Sequence, residues 1–204
     1  MTEREKAEAG YLYDANYDKE LEKLRFHCMD LCWEYNQLKP SETEKQRALL
    51  KQILGSMEDD CMILPPFRCD YGYNVRVGKA FFANYNAIML DGAPITFGDH
   101  VFIAPNCVFT TANHALDTQQ RNAGLEVALP ITVGDNVWFG ANVTVLPGVT
   151  IGSNTVIGAG SVVTRDIPSG VIAVGNPCRV MRQITEADKH RYPAAPEDRK
   201  DELV

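Results

Sequence analysis

The stretch ITVGDNVWFGANVTVLPGVTIGSNTVIGAGSVVTRDI, residues 131–167, carries an apolar side chain at every sixth position: Val133, Phe139, Val145, Ile151, Ile157 and Val163. A second row with the same step runs through Val137, Val143, Val149, Thr155, Ser161 and Ile167, β-branched except at Ser161. Gly, Asp, Asn, Ser and Pro fill the places between them. An amphipathic helix repeats every ~3.6 residues and a half-buried strand every two, so neither produces this step; hairpin meanders do not renew their turn chemistry at a fixed spacing. A parallel coil of short strands does. Each rung points an apolar residue inward and buries it only against the rungs above and below.

The phase extends back through Phe97-Gly98-Asp99, Ile103-Ala104-Pro105 and Phe109, since Phe97 and Val133 stand six hexads apart. Between them lies ANHALDTQQRNAGLEVALP, residues 112–130, which is polar, shows no evident secondary structure and carries His114. Structureless loops of this length are uncommon in compact domains and are usually functional. Chemistry is to be sought there first.

Upstream, Leu21, Leu24, Cys28, Leu31, Tyr35 and Leu38 alternate steps of three and four, which predicts one helix from Asp18 to Leu38. Pro40 stops it. Ser41-Glu42-Thr43-Glu44 reads as a capping box opening a second helix with Leu49, Leu50, Ile53, Leu54 and Met57 inward. The first recognisable rung is Val77-Gly78, and Asp91-Gly92-Ala93-Pro94 breaks register in a small bulge. A short strand and helix follow over Arg179 to Tyr192. The expected organisation is a helical region at 1–60, the coil at 61–184, and a C-terminal helix with a charged tail at 185–204, the tail disordered from Ala194.

Composition excludes several classes. With 27 acidic against 20 basic residues the net charge is −7, a poor basis for holding a nucleic-acid backbone. No apolar run approaches the ~18 residues of a membrane span, and MTEREKAEAG has no signal core, so a cytoplasmic location without membrane partners is expected. The KDEL at 200–203 is followed by Val204 and is not a terminal retention signal. Cysteines at 28, 32, 61, 69, 107 and 178 form no Cys-x-x-Cys pair and read as free thiols.

Several ordered motifs resemble the hexapeptide-repeat acetyltransferases, and within them the maltose and galactoside O-acetyltransferases. They are AGYLYDAN at 9–16, FRCDYGYN at 67–74, FFANYN at 81–86, TTANHALD at 110–117, PITVGDNVWFGANVTVLPGVTIG at 130–152 and GNPCRV at 175–180. The resemblance implies a left-handed parallel β-helix, a homotrimer with active sites between subunits, and transfer of acetyl from acetyl-CoA to a sugar hydroxyl, with no metal. Handedness comes from the resemblance alone, since parallel crossovers are normally right-handed.

A sugar hydroxyl is a weak nucleophile near neutral pH and needs a base; histidine, with an unperturbed pKa of roughly 6.5, suits the task. His27 lies in the helical region, His100 at a rung's turn and His190 near the tail, leaving His114 as the candidate base. By resemblance, acceptor contacts fall on Asp14, Asp70, Asn84 and Asp91; for Asn84 and Asp91 a turn role is the other reading. Glu126 either orients His114 or is a solvated loop carboxylate. The amide of Ala141 is the implied oxyanion donor. Pantetheine is expected near Ala141 and Ala159, and the nucleotide phosphates near Thr164, Arg165, Arg179 and Arg182, with a plain surface charge the alternative for Arg182. Trp138 is either an active-site wall or a core or interface residue.

Other functions on this fold fit less well. A zinc-dependent carbonic anhydrase needs three clustered histidines, and a nucleotidyltransferase needs a nucleotide-binding domain where this chain has helices. Two rivals stand: a xenobiotic O-acetyltransferase sharing His114, and an inert trimeric scaffold.

Overall fold

The computed structural model describes residues 1–193, and the tail expected to be disordered lies outside the described residues. From Met62 the chain winds as a triangular coil, one short strand on each of three faces. The first turn uses Met62–Ile63, Phe67–Cys69 and Val75–Val77; the second uses Phe82–Ala83, Ala87–Leu90 and Ile95–Phe97. The third uses Phe102–Ile103, Val108–Thr110 and Ile131–Val133; the fourth, Trp138–Phe139, Thr144–Val145 and Thr150–Ile151. Val156–Ile157 and Val162–Val163 begin the fifth, which Ile167 completes by bridging to Ile151. Val171–Val174 adds a last parallel strand, and Arg179–Gln183 folds back on it antiparallel. The coil thus starts before Val77, the first rung legible in the sequence.

Both six-step rows point inward. Val133, Phe139, Val145, Ile151, Ile157 and Val163 are buried, and so are Val137, Val143, Val149, Thr155, Ser161 and Ile167. Phe81, Phe97, Phe109 and Phe139 form a column whose successive ring centroids lie 5.1, 5.0 and 5.1 Å apart. Rungs this close need small residues at some corners: a Cβ on Gly140 would lie 2.5 Å from the Ala159 nitrogen of the next turn. Other corners demand the left-handed backbone that Asn tolerates. Asn86, Asn106 and Asn142 adopt it, with φ of 62°, 63° and 60°.

Register explains why the six-step phase survives the interruption. Val133 and Ile151, 18 residues apart, are neighbours on one face. Phe97 and Val133 are also neighbours although twice as far apart in sequence. The insertion therefore adds a whole number of hexads and leaves the phase unchanged.

The helical region is richer than its sequence signals. Helix α1 (Glu3–Glu8) is capped by Thr2, whose hydroxyl accepts from Glu5 N while the Glu5 carboxylate accepts from Thr2 N. Helix α2 (Lys19–Gln37) begins after Asp18, as expected, and packs on strand Phe67–Cys69. Helix α3 (Thr43–Ile53) lacks the predicted capping box; Glu42 holds the cap position without a side-chain bond to the helix's first amides, its carboxylate accepting instead from Lys39 N and from Lys45 Nζ. On α2, Leu21, Cys28 and Tyr35 are buried as predicted, and Cys32 joins them.

The interruption is structured, contrary to the sequence reading. Ala112–His114 and Leu125–Ala128 pair antiparallel around a short helix, α4 (Thr118–Asn122). Tyr13–Asp14 adds a third strand by pairing with Leu125–Glu126. The aromatic N-terminal segment is thus a sheet edge for the insertion. Helix α5 (Glu186–Lys189) follows the last strand. No helix among the described residues is long and apolar enough to cross a membrane.

Candidate active site

The three-stranded sheet at the insertion carries three of the candidate residues. His114 and Glu126 are direct cross-strand partners, so the antiparallel register itself sets their side chains on one face. His114 Nδ1 lies 3.6 Å from Glu126 Oε1, slightly beyond hydrogen-bond range. The imidazole is 58% exposed and the carboxylate only 15%. A reactive ring at the surface beside a half-sheltered acid is an arrangement that orients one nitrogen and leaves the other free. Asn16 secures the acid: its Nδ2 donates to Gly124 O at 2.9 Å and to Glu126 Oε1 at 3.3 Å. Asp14, one strand over, uses its Oδ1 to accept from the amides of Asn16 and Tyr17.

Strands Phe67–Cys69, Ala87–Leu90 and Val108–Thr110 are followed at one corner of the coil by Asp70, Asp91 and Thr111. Burial raises the pKa of Asp70, with the nearby Glu126 charge acting in the same direction and Arg25 opposing. Tyr13 is likewise raised, first by burial and then by Glu126. Arg25 Nη1 donates to Ala15 O at 3.0 Å and faces the Tyr71 hydroxyl at 3.4 Å. Asp70 thus has an acidic neighbour in Glu126 and the Arg25 cation set against it.

Asp91 requires a correction. It is fully buried, and its Oδ1 accepts from the amides of Asp70 at 3.0 Å and Tyr71 at 2.8 Å. Asn74 N approaches Oδ2 at 3.3 Å. A carboxylate so enclosed does not reach a ligand; it shapes the 70–74 turn and thereby positions Asp70. Burial raises its pKa to about 6 despite these amides.

The remaining candidates lie elsewhere on the coil. Asn84 and Trp138 line one depression of about 290 Å³ together with Phe82, Phe102, Ile103 and Ala104. Trp138 is 54% exposed, which removes the core reading for it. Ala141 and Ala159 follow the same corner as Asn84 on later turns, and Ala141 O accepts from Gly160 N at 2.8 Å. Thr164, Arg165 and Arg179 are exposed. Arg182 is engaged by Asp188 through two charge-assisted bonds of 2.7 and 2.6 Å; a phosphate there competes with a carboxylate already in place. Sequence reasoning missed Asn16 and Arg25. Asn16 lies within AGYLYDAN, the motif that carried the resemblance, but its partner is 110 residues away.

The fold is a coil of stacked six-residue rungs, interrupted by a structured insertion that displays a histidine. Two family descriptions match the sequence: "Maltose acetyltransferase hexapeptide capping motif" over residues 6–58 and "Bacterial transferase hexapeptide (six repeats)" over 130–165. The galactoside O-acetyltransferase of Escherichia coli K12 is 42% identical over 192 residues, spanning 94% of this chain and 93% of that protein. A maltose O-acetyltransferase from Clostridium difficile 630 has a similar structure, with a TM-score of 0.89 and 49% identity over 91% of this chain and 99% of that one. A galactoside acetyltransferase in complex with coenzyme A gives 0.90 and 41%, over 95% and 96% of the two chains. The chain belongs to the hexapeptide-repeat acetyltransferases, in the group that contains these maltose and galactoside enzymes.

Proposed function

We propose that this protein transfers the acetyl group of acetyl-CoA to a hydroxyl of a sugar of the maltose, glucose or galactoside type. The observation that carries the reading is the register-fixed pair of an exposed His114 and a sheltered Glu126. Glu126 faces Nδ1, so Nδ1 keeps its proton and Nε2 is the basic nitrogen. Nε2 takes the hydroxyl proton as the sugar oxygen attacks the thioester carbonyl, and the tetrahedral oxyanion is met by the Ala141 amide. Collapse breaks the carbon–sulfur bond, and the imidazolium returns its proton to the departing thiolate. Asp14, Asp70 and Asn84 supply polar contacts to the acceptor. Ala159 lines the pantetheine path, and Thr164, Arg165, Arg179 and Arg182 face the nucleotide phosphates, where guanidinium groups suit the oxygens. The coenzyme A complex of the galactoside relative supports that cofactor.

The working unit in this reading is a homotrimer in the cytoplasm. Met62, Phe82, Phe102, Trp138, Val156 and Ile172 stand in one outward row through successive cross-strand pairs. Met62, Phe102 and Trp138 are 53%, 49% and 54% exposed, an apolar stripe that association would cover. His114 and the Asn84–Trp138 depression lie at different corners of the coil, so a neighbouring copy brings the two halves of the site together.

The test is thiol release from acetyl-CoA in the presence of maltose, glucose, a galactoside and chloramphenicol, with acetylated product identified by mass spectrometry. Turnover with one of the sugars is the expected result. Turnover with chloramphenicol alone establishes the xenobiotic reading instead, and no turnover with any acceptor favours the scaffold.

A further inference from the structure

Cys28 and Cys32 lie one turn apart on α2, and Cys69 ends the strand on which that helix packs. The fold brings the three together. Cys28 Sγ and Cys69 Sγ are 3.4 Å apart, Cys32 Sγ and Cys69 Sγ 3.7 Å, and all three sulfurs lie within 4.8 Å of one another. A zinc ion with sulfur ligands at ~2.3 Å in tetrahedral geometry sets its sulfurs about 3.8 Å apart. The two Cys69 spacings are therefore close to the edge of such a tetrahedron, and the Cys28–Cys32 spacing does not exceed 4.8 Å. No spacing rule finds this set in the sequence, because two ligands come from a helix and the third from a strand some 40 residues later.

A groove of about 740 Å³ borders the cluster, and Cys32 and Cys69 contribute to its wall. Arg68 and Asp70 lie on that same wall. Each thiol is almost fully buried, at 2%, 4% and 5% exposure, so the cluster is shielded yet has a path of entry on one side. The other three cysteines, Cys61, Cys107 and Cys178, are buried without such company.

We propose that Cys28, Cys32 and Cys69 form a binding site for a thiophilic divalent ion of the zinc class, with the groove side supplying the fourth position to water. Binding replaces three S–H bonds by three metal–sulfur bonds and releases three protons to solvent, leaving a cluster of net charge −1 beside the Arg68 guanidinium. No electrons are transferred. The ion ties α2 to strand Phe67–Cys69, immediately before Asp70, and so fastens the helical region to the first turn of the coil. The inference is independent of the acetyl-transfer reading.

Reduced full-length protein titrated with Co²⁺ tests it. The expected result is one ion per chain with thiolate charge-transfer absorption and the visible bands of tetrahedral cobalt, both abolished by added Zn²⁺. Cys28→Ser, Cys32→Ser and Cys69→Ser should each weaken binding at least about 100-fold, the upper end of what loss of an outer-shell partner alone costs. Cys61→Ser and Cys107→Ser should bind as wild type. Folded wild type that shows no thiolate band, or a band that persists unchanged in Cys32→Ser, overturns the proposal and leaves the thiols as ordinary packing groups. If one serine variant fails to fold by circular dichroism, the wild-type spectrum and the remaining variants decide.

Discussion

At the residue scale, His114 and Asp91 show how position in the fold sorts two candidate groups. His114 is exposed on a sheet outside the coil, so His114→Ala should leave the fold intact while turnover falls roughly 10²–10⁴-fold, the usual worth of a positioned base. A variant that retains turnover assigns the base elsewhere. Asp91 is enclosed, and its pKa of about 6 against 3.8 in an unfolded chain has a sign that can be worked out. Between those values the folded chain holds a proton that the unfolded chain has lost, so stability is greatest below the lower value and falls as pH rises through the upper one. The full effect is on the order of 3 kcal/mol, and Asp70, raised in the same sense, adds to it. Urea unfolding from about pH 4 to about pH 7 should show this decline in wild type and a flatter profile in Asp91→Asn; parallel profiles would assign the decline to other groups.

At the element scale, the insertion depends on a strand from the other end of the chain. Tyr13–Asp14 pairs with Leu125–Glu126, and Asn16 holds Gly124 and Glu126. Removing residues 1–17 should therefore speed amide exchange in 112–114 and 125–128 and loosen the His114–Glu126 pair, while amides of the coil keep their protection. The coil's bonds run from rung to rung and do not pass through the N-terminal strand. Equal loss of protection in the coil would show instead that the N-terminal segment is integral to the whole fold. The sequence pointed to His114 and to the segment containing Asn16, but not to their shared sheet. Hydrophobic periodicity marks a strand only when one face is buried over several residues, and the strands of the insertion are short and half exposed.

At the scale of the whole molecule, the outward row from Met62 to Ile172 makes one face of the coil apolar, whereas the outward positions Arg76, Thr96, Thr132 and Thr150 make another polar. Light scattering should report a trimer. Phe102→Glu places a charge in the middle of the apolar row and should shift the mass toward monomer without unfolding the coil, because the side chain points away from the core. If activity is shared between subunits, turnover falls with the trimer; a fully active monomer would refute a site built from neighbouring copies.

By itself the sequence determined the coil, the two inward rows, the two longer helices before the coil and the place of the interruption. These features are written in repeats or helical steps, and each rung contacts rungs at a fixed sequence distance, so the pattern of burial recurs and can be read locally. Tertiary structure alone decided that the insertion is a three-stranded sheet, that Asp91 is buried, that Arg25 is set against Asp70 and that Cys28, Cys32 and Cys69 converge. Each of those is a single meeting between segments far apart in the chain. Nothing repeats in such a contact, and the free energy that selects it comes from packing and desolvation that exist only once the coil has formed.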